Sequence, residues 1–554
     1  MGCGASRVGP NPARQAGLTE RARQAGLTEA AREAADLTEP LVAAHFHGQG
    51  RLAALVLGPA DDATTSGADI RLLSARKLVA YIDSGGRLEI RQTLEASGKD
   101  IFLDRKTARA LLPELETEEE DSFGVHRCTF PGVAALSYAW VTPADPDPER
   151  AQLLALRPVL VWYVCERARK KLGTVGKGEA RGRSSSLHCH AGLGCDPDPT
   201  MQTADFGVFI DFMSMHQPDD FRGPTPAYTK PAQQASFKRA LANIGLLYGH
   251  RGTTVLKLTA TPLPAGGDPQ RVYSQRGWTH LERRLGDLEA PASNSLDVSA
   301  WPTAQAARAA IATDEHGQAI NRLGVLRPTA AQCGAPRLCA SEEELAAQAD
   351  HASIGSPGTL GALIRGGRGA PVSPAHFAEE LTTKVFSVDA DRAVCAELYR
   401  GVAAPLLAAV EELKFTSLGW AAAEWRHLGG ALACCAKLRE LRLPRMGLDD
   451  AGMAALCGEL GGGAAPELEV LELDRNAIGD AGLRELGDAL ERGWGRGLAV
   501  LNLQHNQVGD GGMRHLVDVI GLGAAPKLKE LRLFGNAASD EAARKAAEAA
   551  LRRN

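Results

Sequence analysis

Aromatic residues make up only 5% of this 554-residue sequence, and long apolar runs are missing. Runs such as Pro158–Cys165 fall far short of the ~20 residues a helix needs to cross a bilayer. The opening residues have no apolar h-region, so no secretory leader is expected. Neither sign of charge dominates: the formal net charge is −5, which argues against a dedicated nucleic-acid binder. The 11 cysteines are scattered without framework spacing, which points to a reducing compartment rather than a disulfide scaffold. There is no P-loop, serine-hydrolase elbow or dinucleotide fingerprint, and Gly173–Gly178 lacks the preceding strand a phosphate loop needs. His188, His190 and Cys195 carry metal-binding atoms, but no second pair stands at structural-zinc spacing, so no metal is expected. What is abundant is apolar residues, at 44%, and glycine, at 60 positions. At this length two to four cored domains are expected.

Internal repetition is the strongest positive signal. Segments of the form Leu-x-x-Leu-x-Leu begin at Leu438, Leu468, Leu498 and Leu528, a constant step of 30 residues. Three continue to an asparagine at the same offset (Asn476, Asn506, Asn536), and the earliest has Met446 there. Ile478-Gly-Asp480-Ala-Gly482 and Val508-Gly-Asp510-Gly-Gly512 then open apolar-periodic runs such as Gly482–Leu490, and Leu413-Lys-Phe415 is a degenerate copy upstream. This pattern resembles leucine-rich repeats of the ribonuclease-inhibitor kind. It implies a solenoid over 413–554 in which short strands stack leucines inward and helices close the other side. Glu541–Arg553 suits a terminal cap. The strand face would present Glu440, Arg442, Glu472, Asp474, Asn502, Gln504, Glu530 and Arg532, a mixed-charge surface suited to a protein partner and not to nucleic acid.

The first residues, Met1-Gly2-Cys3-Gly4-Ala5-Ser6, match the acylation pattern that exposes Gly2 for myristate, with Cys3 placed for palmitate. Two acyl chains would hold the chain stably on the cytoplasmic face of a membrane, where one gives marginal binding. Residues 1–45 read as this acylated segment followed by a flexible or helical spacer, in which Ala13–Glu20 recurs at Ala22–Glu29 and more loosely at Ala31–Glu39.

Residues 46–290 alternate as an α/β domain does, interrupted by a polar, glycine- and serine-rich insertion at 173–203. Leu78–Ile82, Gly132–Trp140, Gly207–Asp211 and Thr253–Thr259 read as strands and Phe237–Gly249 as a helix. Three motifs stand in order: Ala135-Leu-Ser-Tyr138-Ala-Trp140, Val208-Phe-Ile-Asp211-Phe-Met-Ser-Met-His216-Gln217, and Tyr273-Ser-Gln-Arg276-Gly277-Trp278-Thr-His-Leu-Glu282. Together, over roughly 130–288, they resemble the heterokaryon-incompatibility (HET) domain. Val141, Ser214 and Leu281 depart from its pattern, which has glycine, cysteine and glutamine there. The HET family looks distantly related to the TIR domain, so the resemblance implies a flavodoxin-like parallel sheet. Some TIR domains cleave NAD with a glutamate four residues after a tryptophan, a spacing kept by Trp278 and Glu282. Glu282 would then be catalytic, with Tyr138, Asp211 and Trp278 binding substrate. NAD would be a substrate, and no cofactor is expected. For that chemistry the four side chains should converge on one concave site, with Glu282 ionised on its wall.

Residues 291–372, rich in Ala, Gly, Pro and Ser, read as a linker. Residues 373–412 read as a helical connector, in which Val394, Leu398, Val402 and Leu406 keep helical spacing. The expectation is a membrane-tethered signalling or scaffold protein that binds a protein through its repeats. An NAD glycohydrolase is the alternative. A small-GTPase-activating protein is a second, because one such family uses similar repeats, although four or five units are few for it.

Overall fold

The computed structural model describes residues 49–59, 65–111, 132–142, 145–175, 205–219, 227–250, 253–260, 268–288, 295–300, 312–313, 319–320, 368–539, 541 and 545. Gly2, Cys3, the 13–39 duplication, the His188/His190/Cys195 group, nearly all of the 173–203 insertion and most of the terminal cap lie outside these residues.

The first half is an α/β unit. Helix α1 (Gln49–Leu57) and strand β1 (Leu73–Ser74) precede α2 (Ala75–Asp83), α3 (Arg91–Ala96) and α4 (Arg105–Leu111). Then follow β2 (Val133–Tyr138), α5 (Ala151–Val175), β3 (Gly207–Phe209), the single turn α6 (Asp211–Ser214), α7 (Pro231–Ala242), α8 (Gly245–Tyr248), β4 (Thr253–Leu258), α9 (Gly277–Gly286) and β5 (Ser295–Asp297). The sheet runs β1-β3-β2-β4-β5. Strands β2 to β5 are mutually parallel, and β1 lies antiparallel on the β3 edge. Strands β2 and β4 are buried along their whole length, as expected of central parallel strands covered by helices on both faces. Alternate residues serve opposite faces. Val133, Ala135 and Val255 join the core under α8 and α9, while Ala134, Leu136, Tyr138 and Leu256 join the core under α2 and α5.

Two expectations need correction here. Leu78–Ile82 is not a strand but the middle of helix α2. The Ser74 hydroxyl caps that helix, accepting from the Lys77 amide at 3.1 Å. Ala75, Leu78, Val79 and Ile82, all buried, stand at the i, i+3, i+4, i+7 offsets of a helical face, so period outweighed the β-propensity of Val and Ile. The stretch read as a linker from 291 supplies β5, which pairs with β4 through Val255–Ser295 and Leu256–Leu296.

The connector forms α10 (Pro374–Leu381) and α11 (Asp391–Ala409). Val394, Leu398 and Leu406 of α11 are buried, and Val402 packs over Gly245 of α8. The chain then settles into β6 (Glu412–Lys414), α12 (Ala422–Leu432), β7 (Glu440–Arg442), α13 (Asp450–Gly458), β8 (Val470–Glu472), α14 (Asp480–Glu491), β9 (Val500–Asn502), α15 (Asp510–Leu522) and β10 (Glu530–Arg532). These five strands make one parallel ladder in chain order. Leu413, Leu441, Leu471, Leu501 and Leu531 stand in register across it. The first four are buried and Leu531, in the last strand, is half-buried.

Side-chain ladders join one repeat to the next. The Asn476 carboxamide accepts from the Met446 and Leu448 amides (2.8 and 3.1 Å) and donates to the Leu443 and Leu473 carbonyls (2.8 and 3.0 Å). Asn506 and Asn536 repeat the pattern one step on. Each thereby satisfies backbone groups left over where the strand turns away. The helix-opening aspartates form a second ladder. Asp450 Oδ1 accepts from the Gly479 and Gly482 amides, and Asp480 Oδ1 from the Gly509 amide. A Cβ at Gly482 would stand 2.6 Å from Asp450 Oδ1 and one at Gly512 2.8 Å from Asp480 Oδ1. This is why the Asp-x-Gly spacing recurs with the 30-residue period.

Candidate functional site

The open strand face of the repeats is the first candidate. Residues on either side of each central leucine point away from the leucine core. Arg442 donates to Glu440 (3.0 Å) and lies 3.4 and 3.7 Å from Glu412 and Glu472. Arg532 donates to Glu530 (2.7 Å) and reaches back to within 3.8 Å of Glu472. Lys414 pairs with Glu412 at 2.8 Å, and Asp474 lies 3.8 Å from Arg475. Glu412, Glu440, Glu472, Asp474 and Glu530 thus outnumber Lys414, Arg442, Arg475 and Arg532 by one, leaving the face slightly acidic and internally paired. Asn502 is buried. It accepts from the Gln504 amide (3.1 Å) and lies 3.5 Å from Asp474, so it orders the turn beneath the face, whereas Gln504 stays half-exposed. At the far end Phe534 is 74% exposed, edge-on to His505 at 5.5 Å.

The second candidate is the polar group at the C-terminal end of β2. Two of the four residues expected to converge do so directly: the Tyr138 hydroxyl donates to Asp211 Oδ1 at 2.9 Å. Glu282 turns instead to the other face of the sheet, where Ser137 Oγ lies 2.6 Å from its Oε2 and 2.8 Å from the Tyr273 hydroxyl. This is the period of two acting within one strand: neighbours Ser137 and Tyr138 deliver to opposite faces. Trp278 goes elsewhere. Its indole N–H donates to Asp391 Oδ2 at 2.9 Å, binding α9 to α11. Ser137 and Tyr273 were overlooked as site residues although both stand inside the quoted motifs; a hydroxyl beside each motif aromatic was the available signal.

The expected place of Glu282, on the wall of a concave site shared with Tyr138 and Asp211, is not the one it takes. Glu282 is 7% exposed. Burial, reinforced by the nearby Asp211 charge, pushes its carboxyl well above the usual range, and the Ser137 and Tyr248 hydroxyls only partly offset this. Burial likewise raises Asp211, against the Tyr138 hydroxyl and the Phe212 amide. The Tyr138 hydroxyl is pushed up by burial and by Asp211. Glu282 is thus a buried carboxyl among hydroxyls, its ionised form disfavoured by burial and by Asp211.

This fixes a pH dependence. Above the ordinary glutamate value the unfolded chain loses the proton that the folded chain keeps, so Glu282 lowers stability as pH rises from about 4.5 toward its elevated folded value. The limiting slope is about 1.4 kcal/mol per pH unit. Glu282→Gln keeps the shape and hydrogen-bonding capacity without the proton. Thermal melts should show the variant gaining on the wild type from pH 5 to pH 8; equal shifts at both pH values would mean that Glu282 ionises freely in the fold.

A leucine-rich-repeat family model matches residues 466–487 and 498–517. No curated protein matches the chain. Among solved structures, the tropomodulin C-terminal domain of Caenorhabditis elegans is similar at 16% identity and a TM-score of 0.22, covering 27% of this chain and 90% of that one. The C-terminal part of the chain carries leucine-rich repeats.

Proposed function

We propose that this protein is a signalling or scaffold component that binds a protein partner through the strand face of its repeats, held at the cytoplasmic face of a membrane by acyl chains on Gly2 and Cys3. The observation that carries the reading is the five-stranded parallel ladder, whose outer face no other described element covers with a sheet of its own. Leucine-rich repeats generally bind proteins, and an acidic, internally paired face suits a partner able to insert cations between the existing pairs. The central unit is read as HET/TIR-like and flavodoxin-like. The β3-β2-β4-β5 parallel order and the Tyr138–Asp211 contact support that reading, as does a single helix carrying Trp278 and Glu282. NAD cleavage is the weaker reading for this unit, because Glu282 is buried against Ser137 and turned away from the Tyr138–Asp211 pair, where it could not face a charge developing at a ribose.

Three measurements test these readings. Replacing Glu472 and Asp474 together by lysine should leave circular dichroism unchanged and abolish capture of partners cross-linked to the repeat face; undiminished capture would move the binding surface elsewhere. Gly2→Ala should shift the protein from the membrane to the soluble fraction of its native cell, and a wild type already soluble would remove the anchor. Purified wild-type chain should consume NAD no faster than Glu282→Gln, and turnover lost in that variant would restore the glycohydrolase reading.

A further inference from the structure

A cleft of about 220 Å³ opens where the α/β unit, the connector and the first repeat helix meet. Helix α9 contributes Arg283 and Arg284, α10 and the turn after it contribute Glu380 and Lys384, and α12 contributes Glu424. The two carboxylates are already committed. Glu380 accepts from Arg284 Nε at 3.1 Å and meets His280 Nε2 at 3.0 Å. Glu424 lies 3.4 Å from Arg284 and accepts from the Ala370 amide at 3.0 Å. The remaining two cations have no comparable partner. Arg283 is 3.8 Å from Asp287, with its side chain 36% exposed. Lys384 donates to the Ser274 carbonyl at 2.9 Å and, among the described residues, has no carboxylate within ion-pair distance. Burial lowers the Lys384 ammonium pKa, partly countered by Glu380, and the Arg283 and Arg284 charges lower it further.

We propose that this junction cleft binds a small dianion, a phosphate or dicarboxylate group, between Arg283 and Lys384. The guanidinium presents a planar fork of N–H donors, and the ammonium has donors left after its single carbonyl bond. The half-enclosed setting screens the pair less than open solvent would. The bound anion would touch all three segments at once, placing the site where occupancy reports on how the α/β unit sits against the repeats.

The test is equilibrium binding of inorganic phosphate and of malonate to the full chain, against sodium chloride at matched ionic strength. One or both should bind with a Kd below about 10 mM, and the pair Arg283→Gln and Lys384→Gln should weaken binding at least about tenfold. Lys384→Arg should retain it. In the unsubstituted chain the same anion should protect Lys384 from acylation by an amine reagent, read by mass spectrometry, a readout independent of how the variants fold. Preferential binding of phosphate or of malonate identifies the group. Failure of both to bind more tightly than chloride, or binding that leaves Lys384 unprotected, overturns the proposal.

Discussion

The α/β unit, the connector and the first repeat helix are joined at Arg284. Its guanidinium is 4% exposed and sits on α9 of the α/β unit, yet its partners are Glu380 of the connector and Glu424 of the first repeat helix. A buried arginine without carboxylates would be prohibitively costly, and each carboxylate without the arginine nearly so. Three stretches far apart in sequence are therefore fixed in one arrangement. Removing one member of such a group typically costs about 3–5 kcal/mol, because the others are left charged and unpaired, whereas a well-packed apolar replacement of the whole group can be neutral. The group is thus better understood as specifying one docking geometry than as a source of net stability. Apolar contacts supply the adhesion: Gly277 packs so close to Phe386 that a Cβ there would stand 1.9 Å from the ring, and Phe377 stacks on Tyr399 and His280.

That docking explains how a short solenoid begins. A repeat array needs its first unit closed by something that is not another repeat. Here Trp420 and Trp425, edge to face at 5.1 Å, fill the space before the first full repeat. The Trp420 indole donates to the Arg368 carbonyl at 3.2 Å, in the strip leading to the connector. From that end the asparagine and aspartate ladders repeat the same bonds at each step, so order propagates from the junction toward β10.

Legibility in the sequence followed the range of the interactions. The repeats declared themselves because identical bonds at a fixed step force identical residues at that step: Asn476, Asn506 and Asn536 do one job three times. Strands β2 and β4 were legible as unbroken buried runs. Helix α2 was misread because the window at Leu78–Ile82 hid both Ser74, its cap, and Ala75, which completes the helical period. Strand β5 is three residues long and sits within alanine- and proline-rich chain, where its buried Leu296 carries no period at all. The polar group was half legible: the motifs held Ser137, Tyr138, Asp211, Tyr273 and Glu282, but spacing along a strand could not say which face each would serve. Nothing local marks Arg284, Glu380 and Glu424, because their pairing exists only after the three segments have packed.

The carboxyl groups on the two sides of α9 act on stability in opposite directions. Burial alone would raise Glu424, but His427, the Arg284 charge and the Ala370 amide together hold it down to about 2. Glu380 is lowered in the same way by His280 and Arg284 against its own desolvation. Such depressed groups contribute stability that is present above the unfolded carboxylate value and fades as pH falls below it. Glu282, two residues from Arg284 and so on the opposite side of the same helix, is raised and favours the acid side. The difference lies in what each carboxyl meets: Glu380 and Glu424 face a guanidinium, whereas Glu282 faces hydroxyls and the negative Asp211. One helix therefore presents a side paired with carboxylates, which fixes the repeats, and a side whose carboxyl meets hydroxyls, which seats the sheet. A substrate reaching Glu282 would have to open the side packed against β2, while a ligand reaching Arg283 needs only the cleft that is already there. The junction cleft and the repeat face can thus be reached without opening the packed side of the sheet.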